Sequence, residues 1–271
     1  MNKDTDAVEV CALLKEQKEL LWLIYHDATD PPGKVMEKAD LANFVFYHTL
    51  HIHALAKAAV ILMENQAPYG VVLLGRSALE SAFNLLAAMN DPKFGPQRIA
   101  FELEDLARKL EFLAEKGIWP PSRRPTPTEC RKDAERIRKQ YKAPPPTTNA
   151  EKARIEKIEQ IARVAELSPF YDDEYRQLCL TVHSNAAGIL NAASGFLVRK
   201  GALAVCNATF FASQVLTGAF RVKTFEPQLM DHHARIEALM KKPEFLPDPK
   251  ELLASTREQG DQPPFECSSK L

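Results

Sequence analysis

From Val71 to Met89 the chain reads as an apolar rod with one narrow polar stripe, Arg76, Glu80 and Asn84, at i, i+4 and i+8. A helix that is apolar on nearly every side has to be surrounded by other elements. Charges buried without partners are costly, so Arg76 and Glu80 must either pair or line a wet cleft. The segment therefore predicts a central, buried helix whose polar stripe is a structural ion pair or part of a cleft in the bundle core.

The rest of the sequence supports helices around that rod. Val10, Leu13, Leu14, Leu20, Leu21 and Ile24 recur at helical spacing from Ala7 to about His26. A second helix is expected over about 37–64 and a fourth over about 96–116, with Gly117 placed to end it. Only 10 of 271 residues are Gly, and period-2 strand patterns are lacking. The fold class is all-α, an up-and-down helical bundle with a Pro-rich helical excursion.

Five segments follow. Residues 1–36 are an N-terminal helix and loop, and 37–118 the first half of the bundle. Residues 119–148 carry Pro120-Pro121, Pro125, Pro127 and Pro144-Pro145-Pro146 around a charged helix, and are expected to project as an exposed arm. Residues 149–242 form the second half: a helix capped by Asn149, one over about 172–184, another to Val198 closed by Arg199-Lys200-Gly201, a nearly uncharged one over 202–224, and an amphipathic one over 227–242. Residues 243–271 are a polar, Pro-rich tail expected to be flexible.

Charge and cysteine usage narrow the function classes. With 35 Lys+Arg against 36 Asp+Glu the net charge is −1, without the basic excess of a dedicated nucleic-acid binder. RNA binding would have to rest on a local patch such as Arg131 to Lys142. Cys11, Cys130, Cys179, Cys206 and Cys267 are scattered and form no Cys-x-x-Cys pair, which suits reduced thiols in a cytoplasmic protein. The N-terminus carries no secretory signal, and charges interrupt the longest apolar stretches, so no membrane contact is expected. The arm is the expected surface for a protein partner or a homodimer.

His48, His51 and His53 fall in the otherwise apolar second helix. His48 and His51 share a face, yet the carboxylates or thiols that complete a metal site are not spaced beside them. Hydrogen-bonded core histidines are the expected reading; no metal or other cofactor is assigned, and His51 is kept as a candidate binding residue. The other informative stretch is Tyr171 to Asn185. Its acids start a helix, and Arg176 and His183 lie two turns apart on it, with Tyr175 and Cys179 along one edge.

Arg76-Ser-Ala-Leu-Glu80 together with Tyr175-Arg-Gln-Leu-Cys-Leu-Thr-Val-His183 resembles a widespread bacterial family of all-helical proteins of unknown function. Its pattern is an Arg-x-x-x-Glu helix followed by a Tyr…Ser…His helix, here over about Leu41 to Phe225, with Cys179 where a Ser is usual. Arg176-x6-His183 is similar to the Arg-x(4–6)-His signature of the HEPN superfamily, whose members are often ribonucleases of toxin–antitoxin and phage-defence systems. That likeness implies metal-independent RNA cleavage in a cleft between two protomers. Arg176 would hold the phosphate and His183 would act as acid or base.

Two readings of function result. The first is a non-catalytic protein- or ligand-binding module with Arg76, Glu80, Asn84, Tyr175 and His51 in its polar cluster. The second is a HEPN-like ribonuclease with Arg176 and His183 catalytic. In both, Tyr175, Arg176 and His183 are expected beside Arg76 and Glu80, because polar groups on apolar helices need partners from another helix.

Overall fold

The computed structural model describes residues 3–29, 39–65, 67, 69–118, 120, 123–183 and 196–242. All regular structure among them is helical, as the sequence periodicity requires. In chain order the helices are α1 (Lys3–Thr29), α2 (Ala39–Glu64), α3 (Tyr69–Asn90), α4 (Phe94–Glu115), α5 (Pro127–Tyr141), α6 (Asn149–Glu156) and α7 (Ile158–Val164). Helix α8 begins at Ser168–Phe170, passes through a π-turn at Tyr171–Tyr175 and continues as Arg176–His183; α9 (Phe196–Phe220) and α10 (Glu226–Met240) follow. The readings of residues 30–36, of a helix from Ser184 up to residue 195 and of the tail from Pro243 lie outside the described residues.

Helix α3 explains its own apolarity by touching two cores. Val71, Ala78, Ala82 and Leu85 pack with α1, α2 and α9, where Val10, Leu13, Leu21, Ile24, Ile52, Val205 and Leu216 are buried. Val72, Leu79, Phe83 and Ala87 pack with α7 and α8 through Ile161, Ala162, Tyr175 and Leu178. Helix α3 is buried as expected, and α9 is more enclosed still. Of its most apolar stretch 78% is buried, against 67% for α3, because α9 meets α1, α2, α3 and α10 while one edge of α3 stays open.

The crossing of α3 and α9 is made by two glycines. A Cβ at Gly75 would lie 2.5 Å from the Gly201 carbonyl oxygen, and one at Gly201 would lie 2.8 Å from Val72 Cα. Backbone meets backbone, so neither position has room for a side chain. Gly201 is therefore a packing residue inside α9. It does not end a preceding helix, as the Arg199-Lys200-Gly201 reading supposed.

Local signals set the other boundaries. Gly117, at φ +69°, closes α4: its own N–H donates to Ala114 and that of Ile118 to Leu113. Thr126 with Glu129 and Thr148 with Glu151 form capping boxes that start α5 and α6, so Thr148 takes the capping place assigned to Asn149. The helical part of 119–148 does not project freely. Cys130, Ala134 and Ile137, at i, i+4 and i+7, lay α5 along Ala100, Ala107 and Leu110 of α4. Arg131 and Arg138 reach Glu111 and Glu104 on α4, and Arg136 reaches Asp40 on α2. A three-residue stripe flanked by ion pairs is enough to seat the helix.

By length and mean hydropathy, α2, α3 and α9 are apolar enough to cross a membrane. Charges interrupt their apolar runs, yet two or three per helix, such as Lys57 or Lys200, leave the mean hydropathy high. Much of the surface of α3 and α9 is spent inside the bundle, whereas only 39% of the corresponding stretch of α2 is buried.

Replacing Gly75 or Gly201 by Ala should force the α3–α9 crossing apart. Overpacking of this kind costs about 1–3 kcal/mol. Thermal denaturation should show each variant melting several degrees below the wild type, about 2–4 °C per kcal/mol for a chain of this size.

Candidate functional site

Three side chains from two helices close on one another at the open edge of α3. The Tyr175 hydroxyl donates to Glu80 Oε1 at 2.5 Å and accepts from Arg76 Nε at 3.3 Å. Arg76 Nη2 completes the triangle at 3.2 Å from Glu80 Oε1, and its guanidinium carbon lies 5.7 Å from the centroid of the Tyr175 ring. Arg76 and Glu80 share a face because they are one turn apart on α3. Tyr175 is aimed at them by its ring, packed edge-on against Phe83 at 5.9 Å and stacked on Tyr171 at 5.3 Å.

The π-turn makes this possible. In its wide turn two consecutive residues, Glu174 and Tyr175, are buried together at 3% and 4% exposure. One faces Asn207 of α9 and the other faces α3. Such single π-turns inside α-helices recur at functional sites.

The electrostatics keep the Tyr175 hydroxyl and the Arg76 guanidinium protonated. Burial, and then the hydrogen bond to Glu80, raise the Tyr175 hydroxyl far above its ordinary value, so it remains a donor. The bond to Tyr175 likewise raises Arg76. The side chains of Arg76 and Glu80 keep 28% and 36% of their exposure, so the cluster sits at the rim and not in the core as the apolar rod suggested. The rim position follows from α8, which covers only one side of the stripe.

The remaining candidates separate. Asn84 is buried and its amide turns back to the Glu80 carbonyl at 2.8 Å, leaving its own Oδ1 without a hydrogen-bond partner among the described residues. Arg176 points away from the cluster: its side chain is 65% exposed and meets Asp172 at 3.4 Å. His183 ends α8, and its side chain lies outside the described residues. Cys179, one turn after Tyr175, is a half-buried free thiol.

The α2 histidines go three ways. His51 is exposed and stacks on Tyr47 at 6.4 Å, and His53 stacks on Trp22 at 5.0 Å. His48 is buried against Phe44, and neither ring nitrogen has a hydrogen-bond partner among the described residues, contrary to the expected bonded histidine. Burial first, then Arg98 and His51, push its pKa down to about 3.

A second polar group near the π-turn was not singled out from the sequence. Lys200 is 5% exposed, and its ammonium donates to the Asp173 carbonyl at 3.2 Å, to Asp173 Oδ1 at 3.0 Å and to Gln177 Oε1 at 2.8 Å. Asn207, also buried, donates to Glu174 at 3.3 Å and 3.5 Å. The available signal was a lysine and an asparagine inside an otherwise apolar helix.

Fold and site thus define an all-helical bundle in which an Arg-x-x-x-Glu pair on a central helix is bridged by a tyrosine from a later one. The chain belongs to a family of unknown function, DUF5677, which matches residues 42–195, more than half of the chain, from α2 to just beyond α8. Helix α9, with Gly201, Lys200 and Asn207, lies outside that match. No curated protein and no solved structure matches the chain.

Two substitutions probe these placements. Glu80→Ala should cost about 1 kcal/mol, because the pair is partly solvated and Tyr175 remains for Arg76. A fall of a few degrees in melting temperature checks this. For His48 the folded-state pKa lies below the unfolded one, so its contribution is present above about pH 6.5 and lost as the pH falls toward 3. His48→Leu should therefore gain in melting temperature over the wild type as the pH is lowered from 7 to 4.

Proposed function

We propose that the protein is a non-catalytic helical module that binds a small ligand or protein partner at the rim between α3 and α8. The observation that carries this reading is the triangle of Arg76, Glu80 and Tyr175, whose two charged members remain partly exposed. It offers a cation and an anion, held in place by the buried Tyr175 hydroxyl and so preorganised without any ligand. The guanidinium retains exposed N–H groups, so an anionic or amide-bearing partner is the fitting chemistry.

The second reading, a HEPN-like metal-independent ribonuclease or phage-defence effector, rests on Arg176-x6-His183. One observation favours it: Arg176 is exposed enough to reach a phosphate. Asp172 stands against it, since its carboxylate already meets that guanidinium at 3.4 Å and would repel a phosphodiester. The free thiols at Cys11, Cys130, Cys179 and Cys206 support a cytoplasmic setting. Self-association, with the α4–α5 hairpin as its surface, belongs to the same proposal.

Thermal-shift titration of the full chain with small carboxylates, phosphate esters and nucleotides tests the module reading. At least one probe should raise the melting temperature of the wild type and of Arg176→Ala but not that of Arg76→Ala. Expression in a bacterial host should leave RNA intact. RNA cleavage by the wild type that disappears in His183→Ala would replace the binding module with the ribonuclease.

A further inference from the structure

Beside the triangle, and apart from any binding at it, lies a buried group that the site does not use. Glu174 is 3% exposed, and its carboxyl is contacted only by the Asn207 amide, at 3.3 Å and 3.5 Å, among the described side chains. These are long contacts for a carboxylate, which prefers short charge-assisted bonds. The one buried cation nearby, Lys200, gives its ammonium protons to the Asp173 carbonyl, Asp173 Oδ1 and Gln177 Oε1 instead. An ammonium has three donors, so all are committed to the π-turn and to the turn after it.

We propose that Glu174, Lys200 and Asp173 form a proton-sensitive latch on the π-turn. With Glu174 neutral, Lys200 holds Asp173 and Gln177 and the turn keeps Tyr175 on Arg76 and Glu80. When Glu174 ionises, its buried carboxylate draws Lys200 away from those acceptors and the turn loosens. The proton lost goes to solvent. Two adjacent residues thus tie one turn to two helices, Glu174 to α9 and Tyr175 to α3, and the state of the first is felt by the second.

The groups around Glu174 favour such a switch near neutral pH. Burial raises its pKa most; Lys200 lowers it, Asp173 raises it and the Asn207 bond lowers it, for a net value of about 7. Cys206 of α9 is a buried thiol raised by the same enclosure, and on α3 the charges are Arg76 and Glu80, both engaged with Tyr175. A carboxyl raised from its ordinary 4.5 stabilises the fold fully below that value, and this stability is lost as the pH rises through about 7. His48 acts in the opposite direction, so the informative quantity is the variant minus the wild type at each pH.

The test uses the full chain and Glu174→Gln, which imitates the neutral acid. The melting temperature of Glu174→Gln minus that of the wild type should rise from pH 5 through about pH 7 and level off by pH 8. A difference independent of pH, or one that falls, would overturn the latch. Should Glu174→Gln not fold, the carbon-13 shifts of the wild-type glutamate carboxyls supply the answer. One glutamate should titrate with a midpoint near 7, and the Tyr175 ring resonance, assigned through Tyr175→Phe, should move with the same midpoint. All glutamates titrating below pH 5, or a Tyr175 ring that does not move while Glu174 titrates, would reject it.

Discussion

The backbone contact between Gly75 and Gly201 sets where everything else in this bundle can be. Two helices that touch main chain to main chain are fixed in separation and register, because any slip brings a side chain into a space that holds none. Each glycine is followed or preceded by a polar residue of consequence: Arg76 comes directly after Gly75, and Lys200 directly before Gly201. The crossing therefore places one cation on the α3 edge and another beneath the π-turn of α8, and α8 settles between them.

That arrangement balances burial against charge in two different ways. At the rim, Arg76 and Glu80 keep contact with solvent while the buried Tyr175 hydroxyl bonds to both, so neither charge carries a full desolvation cost. Further in, Lys200 and Glu174 are both nearly sealed, and the lysine is fully hydrogen-bonded while the carboxyl is not. A satisfied surface cluster suits recognition, whereas an under-satisfied buried acid suits a group that changes its charge. The π-turn is the piece of backbone common to both.

The sequence made the all-helical fold legible because periodicity of 3.6 is unmistakable in α1, α2, α3 and α9, and because strand patterns are lacking. It also made the pairing of Arg76, Glu80 and Tyr175 legible, since polar groups on apolar helices need one another. Depth was not legible: a list of apolar positions does not say how far the neighbouring layer extends, and short α8 leaves the stripe at the rim. Gly201 was misread because glycine serves both to end helices and to bring them close, and only the partner backbone tells which. The π-turn has no periodic signature, so the inward turn of Glu174 was hidden, and Arg176, expected beside Arg76 and Glu80, lies exposed against Asp172. The seat of α5 was missed because Cys130 and Ala134 are too small to register as an apolar face.

The central claim is that Tyr175 joins α8 to the Arg76–Glu80 pair on α3 through its hydroxyl. A double-mutant cycle of Glu80→Gln and Tyr175→Phe, read by urea unfolding of the full chain, measures that link directly. The account predicts a coupling of about 1 kcal/mol, within the range of contacting, hydrogen-bonded residues. Effects that add to within about 0.3 kcal/mol, as for independent sites, would contradict it.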